Sequence, residues 1–460
     1  MKALYDRPRA LADGLAAIRV QFQLPAAFPP LVLDAAATAA RRQPTGYVDR
    51  TALPFVTLDP TSSTDLDQAF AIEAAGGDLI LRYAIADVGA FVDDGDALDT
   101  EAWTRGETIY LPDGKVSLYP PVIGEGVASL LPDGDRPAIL FSVRVQPDGT
   151  ALLDGVERAL IRSRAKLGYA TVRPEDLPAG FDELARRIAD AEAARGAARV
   201  DPPQQEVVES ADGGFELAFR PMNAMEQANA ALSLAANLAV ASALYEHATG
   251  LFRVMPGPDE RAIRRLRQSA RALGVEWPKD VSLEQREIGL DPNDPKQAAF
   301  MLAIRRAGQR ASYAPFHVGE RPWHSAMQAT YVHATAPLRR LADRYVTQAA
   351  LAIANGKPVP EAVGAAFERL PDIMNRADAK TAQVDSAALE LAEAIVLADQ
   401  VGKIFDGRVT DLDQRGARIQ IADPAVITRV PENGRHIGDA VRLRLGEADP
   451  ARRLTRFTLV

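Results

Sequence analysis

Three aspartates, Asp59, Asp65 and Asp67, fall within nine positions of the segment Leu58–Phe70, with Pro60, Thr61, Ser62, Ser63 and Thr64 between the first and the last two. Carboxylates held that close repel one another and resist ionisation unless a cation neutralises them. Hard divalent ions such as Mg²⁺ prefer carboxylate oxygens and commonly complete their shell with substrate phosphates. The spacing therefore points to metal-dependent phosphoryl transfer, with Asp59, Asp65 and Asp67 as the metal ligands. A surface turn is the plainer alternative, because Asp, Ser and Thr favour turns through local hydrogen bonds to the backbone.

A second cluster lies far downstream, in Tyr331-Val332-His333-Ala334-Thr335-Ala336-Pro337-Leu338-Arg339-Arg340-Leu341-Ala342-Asp343. Pro337 fixes a turn, and Leu341, Tyr345, Val346 and Ala349 follow at helical spacing. Arg339, Arg340 and Arg344 are then expected on the first turns of a helix. An arginine fork binds phosphate in bidentate fashion and stays charged, so opposite a metal it can stabilise charge on a transferred phosphoryl group. The competing reading is a basic helix face paired with Asp343. His333 is one of five histidines, with no metal-like cluster around it, and reads as a structural residue or a substrate contact. There is no zinc-type Cys/His pattern, no Walker-type glycine loop and no Gly-x-Ser-x-Gly elbow. Hydrolysis would use a metal-activated water rather than a protein nucleophile.

Taken in order, the motifs resemble those of the ribonuclease II (RNB-domain) family, whose acidic signature has the form Ile-Asp-x-x-x-x-x-Asp-x-Asp-Asp-Ala. Ile85-Ala86-Asp87-Val88, Arg105-Gly106 through Tyr110-Leu111-Pro112, Ser129-Leu130 with Pro132, Ile161-Arg162-Ser163 with Tyr169, and the block from Tyr331 to Asp343 all match. The matches span roughly residues 53 to 400. Asp65-Leu66-Asp67 is also similar to the haloacid-dehalogenase nucleophile motif, but its polar lead-in Thr61–Thr64 is unlike the hydrophobic strand that motif follows.

The resemblance implies a 3′→5′ exoribonuclease that degrades single-stranded RNA to nucleoside 5′-monophosphates with Mg²⁺, Mn²⁺ being a possible substitute. It implies Arg339 beside the metal, Tyr110 and Phe252 gripping the terminal bases, and Tyr169 and Arg340 contacting RNA. Neither a membrane nor an obligate protein partner is implied. Several positions depart from the family. Gln68 occupies the last acidic position, Ala230 and Ala231 stand where two acids are common, Ala336 replaces a serine, and the late glutamate has only Asp385 or Glu390 as stand-ins. These departures motivate an alternative: a catalytically weakened RNB-fold protein that binds RNA as a regulator or adaptor.

The elements that must position these residues give an α+β fold. Leu53–Leu58 reads as a buried strand, the acids as a polar loop, and Gln68–Glu73 as a returning strand. Residues 10–22 and 29–42 read as two amphipathic helices around a Pro-rich turn, a small N-terminal module that could be helix-turn-helix-like or could pack on the catalytic domain. Residues 230–247 form a strongly apolar helix. The region 176–215 reads as a surface helix and linker. From residue 401, short alternating strands suggest a five-stranded OB barrel, and the aromatic stacking platform that the resemblance implies is thin, with only Phe405 and Phe457. Expected domains are 1–46, 47–400 and 401–460.

Charge supports that division. The chain carries −9 overall, yet residues 401–460 hold eleven basic and eight acidic side chains, so the tail is +3 and the remainder −12. A basic appendage on an acidic body suits a nucleic-acid-binding module and speaks against a broadly basic surface. At 460 residues, with 47% hydrophobic and 25% charged side chains, several globular domains are expected. The chain has no cysteine, which excludes disulfide and thiolate chemistry and is compatible with the expected cytoplasmic location. The N-terminus has no secretory-type apolar stretch, and residues 230–243 come nearest to a membrane span.

Overall fold

A computed structural model describes residues 10–460 except 133, 198–203, 210–214, 288, 292–293, 414–415 and 432–433. Its centre is a seven-stranded mixed sheet. Across the sheet the strands run Val48–Asp49, Ala151–Ile161, Arg136–Val145, Asp78–Ala86, Gln68–Ala75, Phe55–Asp59 and Ser163–Gly168. Phe55 to Leu58 are buried in succession, and their strand sits inside the sheet, parallel to Ser163–Gly168 and antiparallel to Gln68–Ala75. Burial on both faces explains why this strand reads as a continuous apolar run rather than an alternating one. Gln68–Ala75 and Asp78–Ala86 form a hairpin whose tight turn uses Gly76 at φ +64°, a backbone conformation that glycine reaches without strain.

Helices cover this sheet. Ala224–Glu246 begins with a capping box in which the Asn223 side chain accepts from the Glu226 N–H and Glu226 returns the bond. By length and composition it could cross a membrane, but it is mostly buried within the protein, a core helix whose alanines permit close approach. Leu341–Ala354 is buried along almost its whole first three turns. Glu361–Leu397, 37 residues long, reaches from the catalytic body to the barrel.

The two N-terminal helices, Ala10–Gln21 and Pro30–Ala39, pack on the body rather than on each other as a separate unit. Leu11, Leu15 and Ile18 share a core with Val384, Ala388 and Leu391 of the long helix, while Val32, Ala36 and Ala39 enter the main core. The region 176–215 also differs from a surface helix and linker. Helix Phe181–Ala194 buries Phe181, Leu184 and Ile188 in the main core. A hairpin, Gln204–Glu209 with Phe215–Arg220, lays Val207, Leu217 and Phe219 against the barrel core. Asp201-Pro202-Pro203 lies outside the described residues.

The C-terminal strands Ile404–Asp413, Gly416–Ile421, Val426–Val430, Ala440–Asp449 and Leu454–Leu459 form one antiparallel five-stranded sheet that curls into a nearly closed OB-type barrel. Alternation along the strands sends Val441, Leu443 and Leu445 inward and Arg442 and Arg444 outward. Phe405 and Phe457 lie edge to face, 5.9 Å between ring centres, inside this core. They therefore stabilise the barrel and present no platform for bases.

Candidate active site

Asp59 ends the strand Phe55–Asp59, and its carbonyl accepts from the Tyr169 N–H at 3.2 Å. The loop that follows is fastened at Leu66, a fully buried side chain. The Leu66 N–H donates to Ser129 Oγ at 2.9 Å, Ser129 Oγ donates to the Thr64 carbonyl at 2.7 Å, and the Leu130 N–H donates to the Leu66 carbonyl at 3.0 Å. The Ser129-Leu130 pair thus fixes the backbone that carries Asp65 and Asp67 on either side of Leu66 in sequence.

Each acid has a different set of neighbours. Asp67, 5% exposed, accepts from the Leu338 N–H at 2.7 Å and from Arg339 Nε at 3.2 Å. Asp65 accepts from the Tyr110 hydroxyl at 3.0 Å and pairs with Lys115 Nζ at 2.8 Å. The Asp59 carboxylate has no hydrogen-bond donor among the described residues. Burial pushes its pKa up to about 6; the Arg339 charge opposes that rise and Asp65 adds to it. Burial likewise pushes Asp67 up to about 7, against the pull of Arg339 and of the Leu338 N–H.

Arg339 lies in the turn before the helix, which begins at Leu341, so neither Arg339 nor Arg340 projects from a helical turn as the spacing suggested. Its side chain is 44% exposed; Nε holds Asp67, and the two Nη atoms make no hydrogen bond among the described residues. Arg339, Asp59, Gln68, Tyr169, Asn229 and Tyr331 line one cavity of about 750 Å³. Its outer wall includes Leu283, Glu287 and Arg305 from a helical unit with its own small core.

Two residues expected to contact RNA are engaged within the protein. Phe252, in the strand Leu251–Val254, has 0% exposure; its strand pairs with Ser312–Pro315 and its ring belongs to the main core, leaving no free face for a base. Arg340 gives Nε and Nη2 to Asp343 at 2.9 and 2.8 Å. Asp343, with 0% exposure, also accepts from the N–H groups of Thr335 and Ala336 at 3.0 and 2.8 Å. This pair shapes the loop that delivers Leu338 and Arg339 to Asp67. Arg344 is buried between Asp94 and Asp99. His333 meets the Tyr313 hydroxyl at 2.8 Å and is surrounded by Tyr313 and Tyr331; burial holds its pKa well below the usual range.

Tyr110 is 48% exposed, and Tyr169 lines the cavity with its hydroxyl held by Asn229 Nδ2 at 2.9 Å. Gln68 uses both ends of its amide: Oε1 accepts from the Tyr83 hydroxyl at 2.5 Å and Nε2 donates to the Thr335 carbonyl at 2.7 Å. A carboxylate could not donate to Thr335, so the amide ties the sheet to the Arg339 loop in a way that an acid there would not. Ala230 lines the cavity and Ala231 is buried. Asp385 lines a different cavity, beside Glu107 and Thr381. Sequence reasoning missed Lys115, Asn229 and Tyr331; Tyr331 lies within the recognised block, whereas no local pattern marks the other two.

Among the described residues no three acidic, histidine or cysteine side chains converge as a ready metal cage. The three aspartates are brought to one region, but Asp67 is turned to Leu338 and Arg339. What remains is Asp59, a desolvated carboxylate without a donor, next to Asp65. Those hard oxygens suit a divalent ion held by one or two carboxylates and otherwise by water and substrate phosphates.

Residues 47–354 match the family model of the RNB domain, and residues 403–460 match the RNase II-type exonuclease C-terminal S1 domain. Ribonuclease R of Thermotoga maritima is 25% identical over 435 residues, covering 87% of this chain and 61% of its own length. Ribonuclease R of Escherichia coli is 26% identical over 410 residues, covering 82% of this chain and 50% of its own length. The chain thus spans about two fifths to two thirds of the length of the curated relatives it matches. In fold it is similar to Mycoplasma genitalium RNase R in complex with ribose-methylated single-stranded RNA, with a TM-score of 0.87 at 20% identity over 100% of this chain and 79% of that one. It is also similar in fold to yeast Ssd1, a pseudonuclease, with a TM-score of 0.70 at 17% identity over 96% of this chain and 59% of that one.

Proposed function

The chain belongs to the RNB-domain (ribonuclease II) family, and from that premise we propose that it is a hydrolytic 3′→5′ exoribonuclease releasing nucleoside 5′-monophosphates from single-stranded RNA. The observation that carries the reading is that Asp59 and Arg339 line the same cavity, with Asp67 holding Arg339 by Nε while its two Nη atoms make no hydrogen bond among the described residues. Such a fork, free on its outer side, suits the equatorial oxygens of a phosphoryl group in transfer.

In this mechanism Asp59 and Asp65 would hold Mg²⁺, with Mn²⁺ as a substitute, and Asp67 sits at the rear of the site. Bound there, the ion would supply a water nucleophile at neutral pH and would offset charge on the phosphate. Asp67 fixes the orientation of Arg339, and the Arg340–Asp343 pair fixes the backbone that carries both. Arg339 then stabilises charge as water attacks in line and the 3′-oxygen of the preceding nucleotide leaves. Tyr110 and Tyr169 supply ring surface for bases, and the apolar wall at Leu234, Met255 and Ile304 limits access of bulk water. The basic barrel adds a sequence-tolerant electrostatic contact with the strand.

The second reading, an RNA-binding protein with weakened catalysis, is favoured by Gln68, whose amide is engaged in a structural bridge and adds no charge to the site. Product analysis separates the two. Incubation of single-stranded RNA in H₂¹⁸O with Mg²⁺, followed by mass spectrometry, is expected to give 5′-monophosphates carrying one ¹⁸O. Intact bound RNA, with either Mg²⁺ or Mn²⁺, would establish the second reading.

A further inference from the structure

A lysine that the mechanism above does not use reaches into the site. Lys115 Nζ lies 2.8 Å from Asp65 Oδ1 and 3.3 Å from Glu125 Oε1, and all three side chains are largely buried. Glu125 is itself fixed by the Thr64 hydroxyl at 2.7 Å, so the ammonium bridges two acids contributed by separate segments. Across the hairpin Ile109–Leu111 and Gly114–Val116, Tyr110 is the direct partner of Lys115, and its hydroxyl takes the other oxygen of Asp65. One pair on one face of a hairpin thus meets both oxygens of a single carboxylate.

The hairpin is built to hold that position. Its other face buries Ile109, Leu111 and Val116 against Leu11, Leu15 and Ile18 of the first helix and Val384 and Leu391 of the long helix. At its turn, Asp113 receives both Nη atoms of Arg19, at 2.9 and 2.7 Å. Lys115 is therefore a fixed base with a long flexible arm, and the arm ends on a carboxylate with reason to take a divalent ion.

Building on the metal-site reading above, we infer that Lys115 is a further residue of the active site: a tethered cation that holds Asp65 and Glu125 when no divalent ion does, and that takes a backbone phosphate of the RNA when one does. Two effects of opposite sign follow. The ammonium competes with a divalent ion for Asp65, so its removal tightens the ion; it also attracts phosphate, so its removal weakens RNA. A lysine whose only role was to hold the loop together would weaken both.

Mn²⁺ binding to the full chain, followed by electron paramagnetic resonance, is the direct test, with Asp65→Asn, Lys115→Met and Lys115→Arg variants checked for folding by circular dichroism. Lys115→Met is expected to lower the Mn²⁺ dissociation constant about tenfold, the effect of removing one nearby like charge from a partly screened site. Lys115→Arg, which keeps the charge, is expected to stay near wild type. The Lys115→Met variant is also expected to bind a fluorescent oligoadenylate several-fold more weakly with Ca²⁺ present and nearly normally in EDTA. Lys115→Gln serves as the neutral variant if Lys115→Met does not fold. If Asp65→Asn abolishes Mn²⁺ binding but the neutral lysine variant binds no tighter, the metal site stands and the role given to Lys115 is overturned. If Asp65→Asn leaves Mn²⁺ binding unchanged, the metal-site reading falls, and the inference with it.

Discussion

Replacing Arg339 with glutamine removes a charge that two aspartates depend on, and the consequence is legible as a pH shift as well as a rate loss. Asp67 has a pKa of about 7 with Arg339 in place, burial being the cause and Arg339 the principal restraint. Its Nε lies 3.2 Å from Asp67 Oδ2, and the arginine is 44% exposed on its other side. At that distance a pair in an effective dielectric of about 20 would gain roughly 5 kcal/mol, and screening of a half-exposed guanidinium reduces this to about 1.5–3 kcal/mol. Since one pKa unit is about 1.4 kcal/mol, Asp67 should rise by about one to two further units in the variant. The sign is fixed: a carboxyl whose pKa is raised on folding favours the folded state below its ordinary pKa, and that contribution is lost as pH rises through about 7. The ionised form that holds Arg339 predominates above that pH. The acid limb of kcat/KM in the wild type should accordingly lie at pH 6–7, where Asp59 and Asp67 ionise, or lower when a bound ion favours their charged forms. In Arg339→Gln the limb should move up by about one to two units, and the plateau should fall by about 10²–10³, the usual loss for one preorganised donor to transition-state charge. Single-turnover rates on a short labelled RNA between pH 5.5 and 9.5 measure both. A plateau loss with the limb unmoved would refute the claim that Arg339 sets the charge of Asp67.

Tyr110 offers two separable effects. Tyr110→Ala should raise KM by about tenfold or more through a lost ring surface worth about 1–3 kcal/mol per stacked base, while Tyr110→Phe should keep most of the affinity and lose only the bond to Asp65, as steady-state kinetics on oligoadenylate would resolve. Gln68→Asp should reduce the Mg²⁺ concentration needed for half-maximal rate, while loss of the donor to the Thr335 carbonyl should lower stability by about 1–3 kcal/mol in urea unfolding. An unchanged Mg²⁺ requirement in that variant would show that the side chain at 68 has no part in metal binding.

The parts of this molecule that local pattern specifies were legible. The strand, polar loop and returning strand around Asp59–Gln68 follow from an apolar run, turn residues and renewed apolar residues, and the barrel follows from alternating strands with outward arginines. Ser129-Leu130 was recognisable as a motif, and the structure supplies its reason, the hydrogen bonds that fasten the acidic loop. Long-range pairing was not legible. Arg340 and Arg339 are adjacent and chemically identical, yet Asp343 engages one and Asp67 engages the other. Lys115 reaches Asp65 across fifty positions because a hairpin braced by the N-terminal helix aims it there. Phe252 is marked as a stacking ring by the family resemblance alone, and pairing of its strand with Ser312–Pro315 buries it. Residues 176–215 read as a surface helix and linker because Asp201-Pro202-Pro203 follows an Ala/Arg-rich helix, whereas Val207, Leu217 and Phe219 of the strands Gln204–Glu209 and Phe215–Arg220 meet the barrel core.

A time course on 5′-labelled single-stranded RNA with Mg²⁺, run beside Asp67→Asn, tests the central claim most directly. Asp67 faces Leu338 and Arg339 and is already buried, so the neutral amide should preserve the fold while withdrawing the charge that orients the arginine. The account predicts that the label shortens stepwise from the 3′ end with mononucleotides released, and that the variant binds RNA but barely shortens it. Full-length RNA that persists in the wild type, or a variant that degrades at the wild-type rate, would contradict it.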